Sequence, residues 1–143
     1  MIDFIDKLPP IEGSGFIERP PLIRAMPPHN RSFVLYEAVM YDVGHSESGD
    51  RITVPAGFVT DFASVPRVMW AWIPPMGKWS GAAIVHDYGY VVQDRPRAEY
   101  DAIFLEAMGV LGVPWIRRHL MYLAVRIGGW FPWHKRSKNV VSA

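Results

Sequence analysis

At 143 residues, half of them hydrophobic, the chain is large enough to bury one domain core without covalent staples. It has no cysteine, which excludes disulfides, thiolate zinc sites and thiol nucleophiles, so any metal must be held by His, Asp, Glu or carbonyl oxygen. Fifteen basic against 14 acidic residues leave a net charge of +1 and no global field to gather nucleic acid, and no such partner is expected.

The opening MIDFIDKLPPIEG has acidic residues and prolines where a secretory signal needs a basic and then an apolar run. No apolar run approaches the roughly 18 residues of a membrane-spanning helix. A soluble protein made in a cytoplasm, without an export signal, is expected. Three Pro-Pro pairs, in LPPIEGSG, RPPL and MPPHN, interrupt any helical or strand period over residues 1–31, which read as a proline-rich arm. Ile5, Leu8, Ile11, Phe16, Leu22 and Ile23 punctuate it, so the arm is either a free leader or a segment docked on a neighbour.

Residues 32–43, SFVLYEAVMYDV, are rich in β-branched and aromatic side chains and stop at Gly44, the pattern of a strand. After the polar loop GHSESGD, the runs RITV and GFVT flank PAG, where Pro55 and Gly57 favour a turn. A small antiparallel β-meander over about 32–60 is expected.

The period then changes from strand to helix. Ser64 is a suitable N-cap for a short helix in DFASVPRVMWAWIPP, closed by Pro74 and Pro75. Further helices are expected over about 81–92, about 97–111 with Pro96 near the start, and from Pro114 to the Gly128-Gly129 pair. The fold class is therefore α+β, a meander followed by three to four helices, with the domain over 32–129. A Trp-rich basic tail follows over 130–143, and its HKRSK cluster reads as solvated.

Chemistry concentrates in IVHDYGYVV. On a helix Ala82, Ala83, His86 and Tyr90 share a stripe, and Asp87 is turned about 100° away. On the next helix Asp101 falls on the stripe of Arg97, Phe104, Met108 and Leu111, mostly apolar and so the face expected to be buried. The short QDRP connection favours an antiparallel hairpin, in which His86 and Asp101 differ in depth by only roughly 3 Å. A carboxylate on one imidazole nitrogen fixes the tautomer and leaves the other nitrogen to take a proton, which is a general-base dyad. The same pair also serves as a satisfied polar contact of a core. Asp87, aimed elsewhere, suits a hard cation such as Ca²⁺ together with loop oxygens. Asp61 and Ser64, at the end of a strand and in the loop after it, stand where scaffolds hold functional groups, or they bond local backbone amides. No Gly-x-Ser-x-Gly elbow surrounds Ser64, which speaks against a serine nucleophile.

Together ITVPAGFVTDFASVPR, AAIVHDYGY, YDAIF and MYLAVRIGG resemble the DUF1353 family, over about residues 51–129. That resemblance implies a tailed-phage or prophage origin and leaves the activity open. More distantly, HDYGY followed by DAIF is similar to the His-Asp helix and partner-aspartate helix of secreted phospholipases A2. This second resemblance implies His86 as general base, Asp101 orienting it, and Asp87 binding Ca²⁺. The chain lacks the disulfides and the Gly-rich calcium loop of those enzymes, so Asp61 and its neighbours would have to supply ligands in place of that loop.

Two function classes follow. One is a phage-encoded, virion-associated hydrolase, a Ca²⁺-dependent phospholipase-like esterase with a lipid or cell-envelope substrate. The other is a non-catalytic tail, baseplate or head-tail component, contacting other phage structural proteins or copies of itself through its arm and aromatic tail. A His-Asp phosphohydrolase is a third and weaker reading, because His29 and His45 lie in expected loops. His119 is expected to be a packed or interfacial histidine.

Overall fold

The computed structural model describes residues 23–26, 32–45, 47–60 and 80–141. Asp61, Ser64, the short helix expected after Ser64, and most of the proline-rich arm lie outside the described residues. The chain divides into two compact units, Met1–Val59 and Thr60–Ala143.

The first unit holds the strands. These are β1 (Ile23–Met26), β2 (Ser32–Leu35), β3 (Val39–Asp42), β4 (Arg51–Val54) and β5 (Val59–Thr60), the last crossing the unit boundary so that Thr60 belongs to the second unit. They form two antiparallel sheets, one of order β1-β2-β5 and one pairing β3 with β4. The strand expected over 32–43 is thus two strands in different sheets, separated by bends at Tyr36 and Glu37. The cause is the two-residue period of a strand. In one continuous strand Glu37 would share a face with Phe33, Leu35, Val39 and Tyr41, all of which are buried, whereas the bend leaves Glu37 exposed.

Strand β4 alternates exposed and buried residues, so Ile52 and Val54 pair across the sheet with Tyr41 and Val39. The PAG turn forms as expected, closed by Phe58 N–H donating to Pro55 O at 3.2 Å, with Gly57 at φ 86°. It does not make a hairpin of β4 and β5. Leu35 N–H donates to Phe58 O, and Gly57 N–H to Leu35 O, which sends the chain beside β2 instead. Residues 23–26, read from sequence as part of the arm, are strand β1; its four residues, set between two proline pairs, are enough to match β2 from Ile23↔Leu35 to Met26↔Ser32.

The second unit is helical, with α1 (Ser80–Val92), α2 (Arg97–Val110), α3 (Trp115–Gly128) and α4 (Trp130–Val141). The α+β class and the order of strands followed by helices are as expected. Helix α1 is the most buried helix of this unit. Its residues from Ser80 to Asp87, with Gly89 and Tyr90, are all buried, which is why its sequence is apolar nearly all round. It ends where Gln93 takes a left-handed φ of 53° and donates its N–H to Gly89 O. Helix α2 returns antiparallel and buries Tyr100, Asp101, Ile103, Phe104, Ala107 and Met108. Gly89 permits the close approach of the two helices: a Cβ there would lie 2.2 Å from Tyr100 Cδ1. The Trp-rich tail forms helix α4, anchored by Gln93 Nε2, which donates to Trp133 O at 2.8 Å.

Candidate functional site: a buried histidine-aspartate pair

The α1–α2 hairpin brings His86 and Asp101 together. His86 Nε2 lies 2.7 Å from Asp101 Oδ1, and neither side chain has any solvent exposure. One turn further along α1, Tyr90 donates its hydroxyl to the same oxygen at 2.7 Å. The opposite oxygen, Oδ2, accepts from Arg126 Nη1 of α3 at 2.8 Å and has Arg97 Nη1 of its own helix at 3.5 Å. Arg97 also donates to the carbonyls of Val125 and Arg126 near the end of α3. One carboxylate thus ties three helices together.

Burial alone would push the Asp101 carboxyl up. The hydrogen bond and charge of His86, with the bonds from Tyr90 and Arg126, outweigh burial and hold the carboxyl below its ordinary range. Burial first, and then the bond to Asp101, push the Tyr90 phenol well above its ordinary range. Arg126 is raised by the same carboxylate. An ionised carboxylate only accepts hydrogen bonds, so His86 presents Nε2–H to Asp101, and in the neutral ring the lone pair sits on Nδ1. The imidazole packs on two aromatic rings, with centroids 4.4 Å from Tyr90 and 4.7 Å from Phe104. Trp133 of α4 meets Tyr90 edge-on at 5.1 Å.

Asp87 points away from this pair, as the helical period requires. It is 1% exposed, and its Oδ2 accepts from Thr60 Oγ1 at 2.6 Å. A carboxylate has the donor chemistry of a hard-cation ligand. Among the described residues no group of three or more His, Cys, Asp or Glu side chains is arranged to hold a metal. Asp61 and Ser64 fall outside the described residues. His119 sits on α3 with Nδ1 2.8 Å from Trp115 O, its ring against the indole.

Two partners were not legible as site residues. Arg126 is the one charge in the run LMYLAVRIGGWFPW, and a lone charge in an apolar run signals a buried counter-ion. Thr60 gave no such signal, since its bond to Asp87 spans 27 residues.

The architecture is that of an α+β protein whose helical hairpin buries an arginine-anchored His-Asp pair. Residues 33–125 match the family described as Protein of unknown function (DUF1353), and the chain belongs to that family. No curated protein and no solved structure matches it.

Proposed function

We propose that the chain is a phage-encoded, virion-associated hydrolase, a Ca²⁺-dependent phospholipase-like esterase in which His86 is the general base. The observation that carries this reading is the 2.7 Å contact of His86 Nε2 with an Asp101 carboxylate that Tyr90 and Arg126 hold in place. With Nε2–H committed to Asp101, Nδ1 is the nitrogen that takes a proton from water as the water attacks an ester carbonyl. The imidazolium so formed is stabilised by Asp101 and returns the proton to the leaving alkoxide. Asp87, with Asp61 and carbonyl oxygens, would hold Ca²⁺, which when bound polarises the carbonyl and steadies the oxyanion. The partners in this reading are other phage structural proteins or further copies of the chain, and the substrate is a lipid or cell-envelope ester.

The full burial of the pair favours a second reading, in which the same network only clamps the helices of a structural virion component. Hydrolysis of mixed phosphatidylcholine and phosphatidylglycerol vesicles, with and without Ca²⁺, separates the two. The hydrolase reading expects ester cleavage that chelation abolishes and that His86→Ala reduces by at least a hundredfold with the helical circular dichroism retained. A parent protein that releases no fatty acid, or a His86→Ala variant as active as the parent, supports the structural reading instead.

A further inference from the structure

Surface helices normally turn apolar residues inward and charged ones outward. Helix α3 does not. It buries Met121 and Val125, yet Ile116, Leu120, Leu123 and Ile127 are 66, 52, 54 and 81% exposed. At 100° per residue those four fall within about 60° of arc, opposite the buried pair. Trp115 opens the helix at 63% exposure, and Trp130 and Phe131 carry the exposed apolar character into the first turn of α4. Scattered apolar residues on a surface need no explanation, but an aligned stripe marks a docking face.

The charge of this region identifies what docks there. Residues 115–143 hold six Arg and Lys and no acidic residue, a formal +6, which leaves the preceding 114 residues at −5. Arg126 is committed to Asp101, whereas Arg117 and Lys135 are exposed. We infer that the outer face of α3, with the first turn of α4, docks on an anionic lipid bilayer. Aliphatic side chains along the middle of a helix, tryptophans toward its ends and cations at its flanks are the arrangement that seats a helix in the plane of a membrane surface. No helix among the described residues is long and apolar enough to cross a membrane, so the contact is in-plane. A second copy fits this face less well, because a two-fold contact would set two +6 segments against each other. The inference rests on exposure and charge and stands whether or not His86 is catalytic.

Co-sedimentation of the full chain with phosphatidylcholine vesicles, and with vesicles containing phosphatidylglycerol, tests it. Binding to the anionic vesicles is expected to be at least tenfold tighter and to weaken with salt. The exposed double variant Leu123→Glu/Ile127→Glu should lose binding while remaining folded by circular dichroism, and Arg117→Glu should weaken binding about fivefold or more. His86→Ala should bind vesicles like the parent. Loss of its hydrolysis with binding retained bears on the catalytic reading alone. The docking face is overturned if the chain sediments with neither vesicle, binds both equally, or keeps its anionic binding in the double variant. It is also overturned if light scattering shows a dimer that the double variant dissociates.

Discussion

Replacing Gly89 by alanine sets two physical effects against each other. In an isolated helix the change stabilises by about 1 kcal/mol, since glycine loses the most backbone entropy. In this protein the new methyl would lie 2.2 to 2.5 Å from three ring carbons of Tyr100, well inside van der Waals contact. The ring has little room to swing aside. Tyr100 is 1% exposed and its hydroxyl donates to Asp94. Relief therefore requires α1 and α2 to separate, and overpacking of this kind costs about 1–3 kcal/mol or more. Taking the upper end against the helix gain, the variant should be destabilised by about 2 kcal/mol, or roughly 4–8 °C in Tm. Urea denaturation of parent and variant gives the difference directly. Tyr100 is the neighbour of Asp101, so separation also loosens the His86 contact, and any hydrolytic activity should fall with stability. An alanine variant as stable as the parent, or more so, would refute the close helix approach and with it the geometry of the pair.

Removing the charge that binds the helices, by Asp101→Asn, should cost about 3–5 kcal/mol, because Arg126 loses its counter-charge and His86 Nε2–H its carboxylate acceptor; thermal melts check this. Stability should fall at acid pH. The folded Asp101 carboxyl is held below its ordinary range, so its contribution is complete above about pH 4 and is lost as pH drops through the folded value. Asp42, lowered by its bonds from Arg51 and from the Glu47 amide, acts in the same direction, and urea midpoints from pH 6 to 2.5 should fall less steeply in Asp101→Asn. Tyr90→Phe should cost about 1–3 kcal/mol through one lost hydrogen bond to the buried carboxylate, read by denaturant midpoint. Thr60→Val should destabilise by about 1–3 kcal/mol by stripping a donor from buried Asp87, with no change in the acid response assigned to Asp101.

The hairpin and its polar pair were readable because they depend on short-range periodicity. Helical spacing put His86 and Tyr90 on one stripe and Asp87 off it, a four-residue connection made the hairpin antiparallel, and counting from its ends matched the depth of His86 to that of Asp101. Those local rules allow the two side chains to meet, and the structure brings them to 2.7 Å. Partners set by long-range contact were another matter. Arg126 reaches Asp101 across 25 residues and Thr60 reaches Asp87 across 27, and nothing local encodes which of several helix faces will meet.

The strands show the same division. Composition identified β-forming segments and the PAG turn, but which strands pair depends on where each segment can bury its apolar face. The two-residue period would have buried Glu37, and the chain bends there and divides between two sheets. The last helices were legible as apolar and basic. Which of their residues face outward was not, because helical spacing gives the stripe while only packing against α2 decides which side of α3 is covered. By itself, then, the sequence determined the α+β class, the helical hairpin and the His86–Asp101 pairing, all products of local period and short loops. Only tertiary structure decided the arginine clamp on Asp101, the division of the strands into two sheets and the exposed apolar face of α3, because each depends on contacts between segments distant in the chain.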